Sequence, residues 1–330
     1  MEKTPKLLEV NNLKTYFHTF KGVVKAVDGV SFSIRQGETL GVVGESGGGK
    51  SITGFSIIKL IEEPGIIEGG SILFNGQDLT GKTEAQMNEI RGKDIAMIFQ
   101  DPMTSLNPVY TIGKQIEEAL LLHNQGMGKQ QAKARMVELL EMVGIPNAER
   151  RLKSYPHQFS GGMRQRVVIA IALASNPKLI IADEPTTALD VTIQAQILKL
   201  MKKLVRDHGC ALMLITHDLA VVSEVTDRVN VMYCGKLVET GKTAAIINAP
   251  RHPYTEGLLL SIPSLTKEAE RLNTIPGIVP NMFALPAGCK YAPRCKYCQD
   301  TCKTSEPKPV AVGDGHMVAC HFPDAVGGAS

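Results

Sequence analysis

The sequence predicts an α/β core that begins with β-rich chain, has a helical middle and ends in a small, irregular, cysteine-rich lobe. Three observations predict it. Leu40, Val42 and Val43 form an apolar strand, followed by a Gly-rich loop and an apolar helical stretch from Ile52 to Ile61. Two more apolar strands, Leu179 to Ala182 and Ala211 to Ile215, flank a stripe at helical spacing. After about Ala249 prolines recur at 250, 253, 263, 276, 280, 286 and 293, and five of the 7 cysteines fall between Cys289 and Cys320.

The elements follow in order. Leu8, Val10 and Leu13, then Val23, Val24, Ala26 and Val27, then Val30, Phe32 and Ile34 predict short strands punctuated by Gly22, Gly29 and Gly37. From about Tyr110 to Val143, Ile112, Ile116 and Ala119–Leu120 share one helical face, and Met136, Leu139, Leu140 and Val143 another. Ile193, Ile197, Leu200, Met201 and Leu204 form an amphipathic stripe whose reading is core packing. The chain divides into 1–249 and a C-terminal lobe, 250–330, with a helical subdomain at about 100–165.

Composition excludes several classes. Hydrophobic residues are 43% and charged residues 21% of the 330, a globular balance and not a disordered one. A net charge of +3 is too small to argue for nucleic acid or an anionic membrane surface. The longest apolar run, Val167 to Ala174, falls far short of the ~20 residues that span a bilayer. The N-terminus lacks an apolar signal core, so the expected compartment is the reducing cytoplasm.

Gly44-Glu45-Ser46-Gly47-Gly48-Gly49-Lys50-Ser51 fits G-x-x-x-x-G-K-[ST] between strand and helix. Glycines let backbone N–H groups surround phosphate oxygens, and the helix N-terminus faces the anion. Lys50 is expected to reach the β- and γ-phosphates of ATP, and Ser51 to hold Mg²⁺. The strand Leu179–Ala182 ends in Asp183 and Glu184, the first placed to support Mg²⁺ and the second to polarise an attacking water.

Phe159-Ser160-Gly161-Gly162-Met163 resembles the LSGGQ signature of ABC-type ATPases, with Phe159 for Leu and Met163 for Gln. PTTALD at 185–190 resembles the D-loop, Ile215-Thr216-His217-Asp218 the switch-histidine segment, and Gln100 within Ile98–Pro102 the Q-loop. Tyr16 stands where that family sets an aromatic against adenine. The resemblance implies an ABC-type P-loop ATPase core with antiparallel β and α-helical subdomains. It implies two cassettes head to tail, with ATP between Lys50 of one and Ser160, Gly161 and Gly162 of the other. Gln100 would sense the γ-phosphate or Mg²⁺, Asp190 would communicate across the dimer, and His217 would contact the γ-phosphate.

Gln100 to Pro108, His252-Pro253-Tyr254-Thr255, Leu258 to Pro263, Ile275-Pro276-Gly277 and Pro286-x-Gly288-Cys289 resemble the oligopeptide and dipeptide importer group, which includes nickel importers. This resemblance implies an ATP-hydrolysing subunit that powers peptide import, peripheral on the cytoplasmic face of the membrane. Its partners would be two integral membrane permease subunits, a second and different ATPase subunit and, indirectly, an external solute-binding protein. Nickel or another peptide-like solute is the alternative cargo. A DNA-maintenance ATPase would need a coiled-coil or DNA-binding insertion, and a translation factor a second cassette. This chain has one phosphate loop and one signature.

The cysteines are spaced Cys289-x5-Cys295-x2-Cys298-x3-Cys302-x17-Cys320. Disulfides are disfavoured by the compartment, while zinc and an iron–sulfur cluster each accept four thiolates. The importer resemblance implies a [4Fe–4S] cluster on Cys289, Cys295, Cys302 and Cys320, leaving Cys298 as the extra thiol. A proline-rich lobe with little apolar area needs such a staple. His316 and His321, at surface-loop positions, are alternative ligands to the cysteines, and Cys210 and Cys234 are read as buried thiols.

Overall fold

The computed structural model describes residues 5–124, 126–187, 189–262 and 274–326. Ala188 of the D-loop-like segment and Pro263 of the importer-like tail lie outside them. The chain runs β1 (Lys6–Thr19), β2 (Gly22–Arg35), β3 (Thr39–Val43), α1 (Lys50–Ile57), β4 (Gly65–Phe74), β5 (Gln77–Asp78), α2 (Glu84–Asn88) and β6 (Ile95–Ile98). Then come α3 (Pro102–Ser105), α4 (Ile112–His123), α5 (Lys129–Met142), α6 (Ala148–Arg151), α7 (Gly161–Ala172), β7 (Leu179–Asp183), α8 (Val191–His208) and β8 (Ala211–Thr216). It ends with α9 (Leu219–Val225), β9 (Arg228–Tyr233), β10 (Lys236–Lys242), α10 (Thr243–Asn248), α11 (Pro253–Leu260), α12 (Asp300–Thr304), β11 (Val310–Gly313) and β12 (His316–Val318).

The chain forms two compact units, one chiefly Arg35–Glu38 and Gly81–Leu214, the other Lys6–Ile34, Thr39–Thr80 and the chain from Ile215 onward. In the first, β6 pairs parallel with β7, Ile95 opposite Leu179, and β8 neighbours β7. Every residue of β7 and β8 is buried, as continuous apolar runs of a covered sheet require. The helices pack by the predicted stripes: Ile112, Ile116 and Leu120 on α4, and Met136, Leu139 and Leu140 on α5, are buried. On α8 the buried set is Ile197, Leu198, Met201, Leu204 and Val205, so Leu198 takes the inward place expected of Leu200.

In the second unit, β2-β1-β4-β5 form one sheet, with β1 antiparallel to β4. The short strands expected here are two strands of 14 residues each. Ala26 and Val27 are both buried, and the strand continues through Asp28 and Gly29. Strands β11-β12-β10-β9-β3 follow one another in this unit, with β3 parallel to β9 and β9, β10, β12 and β11 successively antiparallel.

Among the described residues the C-terminal stretch carries only short elements, α11, α12, β11 and β12. Tyr254 and Tyr291 are buried against Tyr233 of β9, with ring centroids 4.7 to 5.4 Å apart. Such pairs add about 0.5–1.5 kcal/mol each beyond their area. His252 caps α11 by accepting the Tyr254 N–H at Nδ1, and burial holds its pKa down to about 3. His316 is not a surface-loop residue: it is buried in β12, its Nε2 2.7 Å from the fully buried Glu239 carboxylate. The β10–β12 pairing carries it into the sheet.

Candidate nucleotide site and cysteine pocket

Asp227 accepts the Thr39 N–H and hydroxyl at 2.8 and 2.6 Å, anchoring the start of β3. The loop at 44–49 leaves that strand and α1 follows it. Glycine is required at two of its positions by close approach. A Cβ on Gly44 would lie 2.2 Å from the Met232 carbonyl oxygen, and one on Gly49, whose φ is +95°, 2.1 Å from that of Ala26. The Lys50 ammonium, almost fully buried, donates to the carbonyls of Gly44 and Glu45 at 2.8 and 3.0 Å. Gly48 N–H closes the turn onto the Glu45 carbonyl at 3.2 Å. Ser51 opens the helix beside Lys50. His217 is exposed directly after β8, and Asp218 behind it caps α9 through the N–H groups of Ala220 and Val221.

Tyr16 is nearly buried in β1. Its hydroxyl donates to Asp28 at 2.6 Å, and Lys25 lies 5.5 Å over its ring. Burial first, then Asp28, push its pKa well above the tyrosine range. Asp28 is itself held below its usual value by the bonds from Tyr16 and Lys236, which outweigh its burial.

The other unit holds the remaining nucleotide-site candidates. Asp183 ends β7 and is buried. Glu184 follows in a left-handed backbone conformation, φ +44°, which a residue with a Cβ adopts only under constraint. Its Oε2 accepts from Gln100 Nε2 at 3.2 Å and from the Thr187 hydroxyl at 2.8 Å. The structure thus brings Gln100, exposed after β6, onto Glu184. Ser160 caps α7, its hydroxyl accepting the Met163 N–H at 3.4 Å, so the helix N-terminus stands behind Gly161 and Gly162. Phe159, the aromatic in place of Leu, is buried beneath the Arg151 guanidinium, 5.3 Å from the ring. Asp190 caps α8 by accepting the Ile193 N–H at 3.0 Å. Both caps carry a plain sequence signal, Ser or Asp just before a helix.

In the second unit, Cys289, Cys295, Cys302 and Cys320 line one small cavity of about 10 Å³, together with His252, Tyr291 and His321. Cys298 is not among its lining residues. Among the described residues no group of three His, Cys, Asp or Glu stands ready to hold a single metal ion. Burial pushes the thiols of Cys295 and Cys320 up to about 11 and raises Cys289. The His321 ring nitrogen lies 2.9 Å from the Ser305 carbonyl. Cys210 and Cys234 are buried thiols with pKa values pushed up to about 11 by burial.

Residues 27–187 match the ABC transporter family, and residues 238–302 match the oligopeptide/dipeptide transporter C-terminal region. The chain is 56% identical over 315 residues to the oligopeptide transport ATP-binding protein AppD of Bacillus subtilis, covering 95% of this chain and 96% of that one. It is 50% identical over 317 residues to the dipeptide transport ATP-binding protein DppD of Escherichia coli, covering 96% and 97%. The chain belongs to the ABC transporter ATPases. Within them it groups with the ATP-binding subunits of oligopeptide and dipeptide transporters. A solved ATP-binding cassette, dimeric and bound to ADP and phosphate, superposes with a TM-score of 0.64 at 29% identity. It covers 72% of this chain and 98% of that one. The chain is accordingly an ATPase with the ATP-binding cassette fold expected of the sequence. Among the described residues no helix is long and apolar enough to cross a membrane.

Proposed function

We propose that this ATPase powers import of di- and oligopeptides through separate membrane-embedded permease subunits. One observation carries the reading. The likeness to peptide-transport ATP-binding proteins runs through 95% of the chain and includes the region 238–302, beyond the cassette itself. ATP phosphates would lie in the loop 44–51, on its N–H groups, with the Lys50 ammonium turning from its two carbonyls to the β- and γ-phosphates. Ser51 and Asp183 would hold Mg²⁺, with Gln100 near it. The buried carboxylate and the hydroxyl are hard oxygen donors that suit that ion. Glu184 would take a proton from the attacking water, and Gln100 and Thr187 orient its carboxylate for that role. His217 would contact the γ-phosphate from its exposed position after β8. Ser160, Gly161 and Gly162 would face the ATP of a second cassette with a helix N-terminus behind them. Asp190, beside that surface, would signal across the pair. Tyr16, nearly buried and tied to Asp28, has the least geometric support as an adenine platform.

The partners follow from the same reading: two permease subunits, a second ATPase subunit different from this one, and a solute-binding protein acting from outside. The chain would sit peripherally on the cytoplasmic face. The division into an ATPase domain, 1–249, and a lobe, 250–330, belongs to this proposal. So does a [4Fe–4S] cluster on Cys289, Cys295, Cys302 and Cys320, the four cysteines around one cavity. Such a group would cross-brace the loops that carry its ligands.

The test is uptake by the assembled complex with peptides or nickel as cargo. Peptide-dependent, ATP-driven uptake supports the reading, and nickel uptake alone replaces it. Anaerobic purification tests the cluster separately. Iron and sulfide near four each support it, and one zinc without sulfide replaces it.

A further inference from the structure

In the phosphate-loop pattern the second position is unspecified, and Glu45 fills it here. Its side chain is engaged by a residue remote in sequence. The Glu45 carboxylate takes a two-pronged ion pair from Arg294, Nη1 to Oε2 at 2.5 Å and Nη2 to Oε1 at 3.0 Å. Arg294 closes a short turn of the C-terminal lobe, 249 residues away in sequence, directly before Cys295. Its side chain is 4% exposed. Nε donates to the Pro276 carbonyl at 3.0 Å and Nη1 also to the Tyr233 hydroxyl at 3.3 Å, while the rings of Tyr233 and Tyr291 lie 5.9 Å from the guanidinium carbon. The guanidinium is thus fixed before it meets Glu45. A second tie comes from the same lobe: the fully buried Tyr254 hydroxyl accepts the Glu45 N–H at 2.7 Å. Both ties fall on one residue, whose carbonyl also accepts from Lys50 and from Gly48 N–H.

We propose that the C-terminal lobe is a positioning element of the phosphate loop, acting through Arg294 and Tyr254 on Glu45, so that nucleotide affinity depends on the lobe. Loop N–H groups bind phosphate only if the backbone is already arranged, and the cost of arranging it lowers affinity. A planar guanidinium gripping both carboxylate oxygens fixes direction as well as distance, which an ammonium does not. Arg294 touches no nucleotide in this scheme. The inference rests on the reading that residues 44–51 bind ATP.

The experiment measures ATP affinity, KM, kcat and melting temperature on the full chain for wild type, Arg294→Lys, Arg294→Ala, Glu45→Gln and the double variant Glu45→Gln/Arg294→Lys. Lys242→Ala, which removes an exposed ion pair with Asp314, is the control. Expected is a rise of about tenfold in Kd and KM for ATP with kcat within twofold, since the loop is disordered by the change but not chemically altered. The double variant should match either single one, because both remove the same contact. Hydrogen exchange of amides 44–50 should quicken in Arg294→Lys, and by reciprocity saturating ATP should slow exchange across 289–302 in wild type. Arg294→Lys and Glu45→Gln keep the side-chain volume and report even if Arg294→Ala fails to fold. Folded variants that bind ATP within twofold of wild type would overturn the proposal and leave the nucleotide reading intact. Absence of ATP binding in wild type would overturn both.

Discussion

Replacing Glu184 by Gln changes one oxygen to an amide and leaves the backbone, length and φ of +44° as they are. In the native arrangement Oε2 accepts two hydrogen bonds, from Gln100 and Thr187. An amide can still accept both through its one oxygen, or turn its NH₂ toward the Gln100 amide, donor against donor. In neither pose can it take a proton from water. Loss of a positioned general base costs about 10²–10⁴-fold in rate, or about 2.7–5.4 kcal/mol on the barrier. Phosphate release at saturating ATP and Mg²⁺ should fall by that factor. ATP affinity should stay within about threefold, and the closed dimer should accumulate with ATP. The melting temperature should hardly move, because the strained backbone is retained in both proteins. Turnover within threefold of wild type would refute the assignment of Glu184, and a loss that tracked a large drop in melting temperature would refute its mechanism.

Lys50→Ala should raise the Kd for ATP about 10–100-fold in a direct titration, the worth of charged hydrogen bonds at about 1.5–3 kcal/mol. Gly49→Ala sets a Cβ 2.1 Å from a carbonyl oxygen in a left-handed backbone, so nucleotide binding should vanish and thermal melting fall by several degrees. Burial raises the folded pKa of Cys210 from 9.0 to about 11. Its contribution to stability is therefore complete below pH 9 and is lost as pH rises toward 11; melting followed over that window should fall less steeply in Cys210→Ala. Cys210 and Cys234 should resist alkylation at pH 8 until denaturant is added, as peptide mass spectrometry would read.

The loop around Lys50 was legible because a short run of glycines, lysine and serine encodes both a backbone shape and a charge. The strands β3, β7 and β8 were legible for a similar local reason, since continuous apolar runs suit a covered sheet. Other features depend on partners remote in sequence. Nothing near Glu45 names Arg294, and nothing near His316 names Glu239, which lies 77 residues before it. The left-handed backbone at Glu184 is imposed by its surroundings and has no composition of its own. Ser160 and Asp190 show a different limit: their helix-capping role was readable, but the family motif drew attention to phosphate and partner instead. In the tail the short α11, α12, β11 and β12 agree with the proline density, whereas the burial of Tyr254 and Tyr291 against Tyr233 depends on a partner remote in sequence.

The hairpin of β11 and β12 lies along β10, with Val318 opposite Glu239 and Met317 opposite Thr240. A chain shortened at residue 249 would strip that cover and leave the backbone donors and acceptors of β10 open at Val238 to Thr240. Such a bare margin recruits strands from other molecules. The shortened chain would also uncover the ring of Tyr233, now 1% exposed. The tail therefore acts as a selvage, moving the margin of the sheet outward from β10 to the short strand β11.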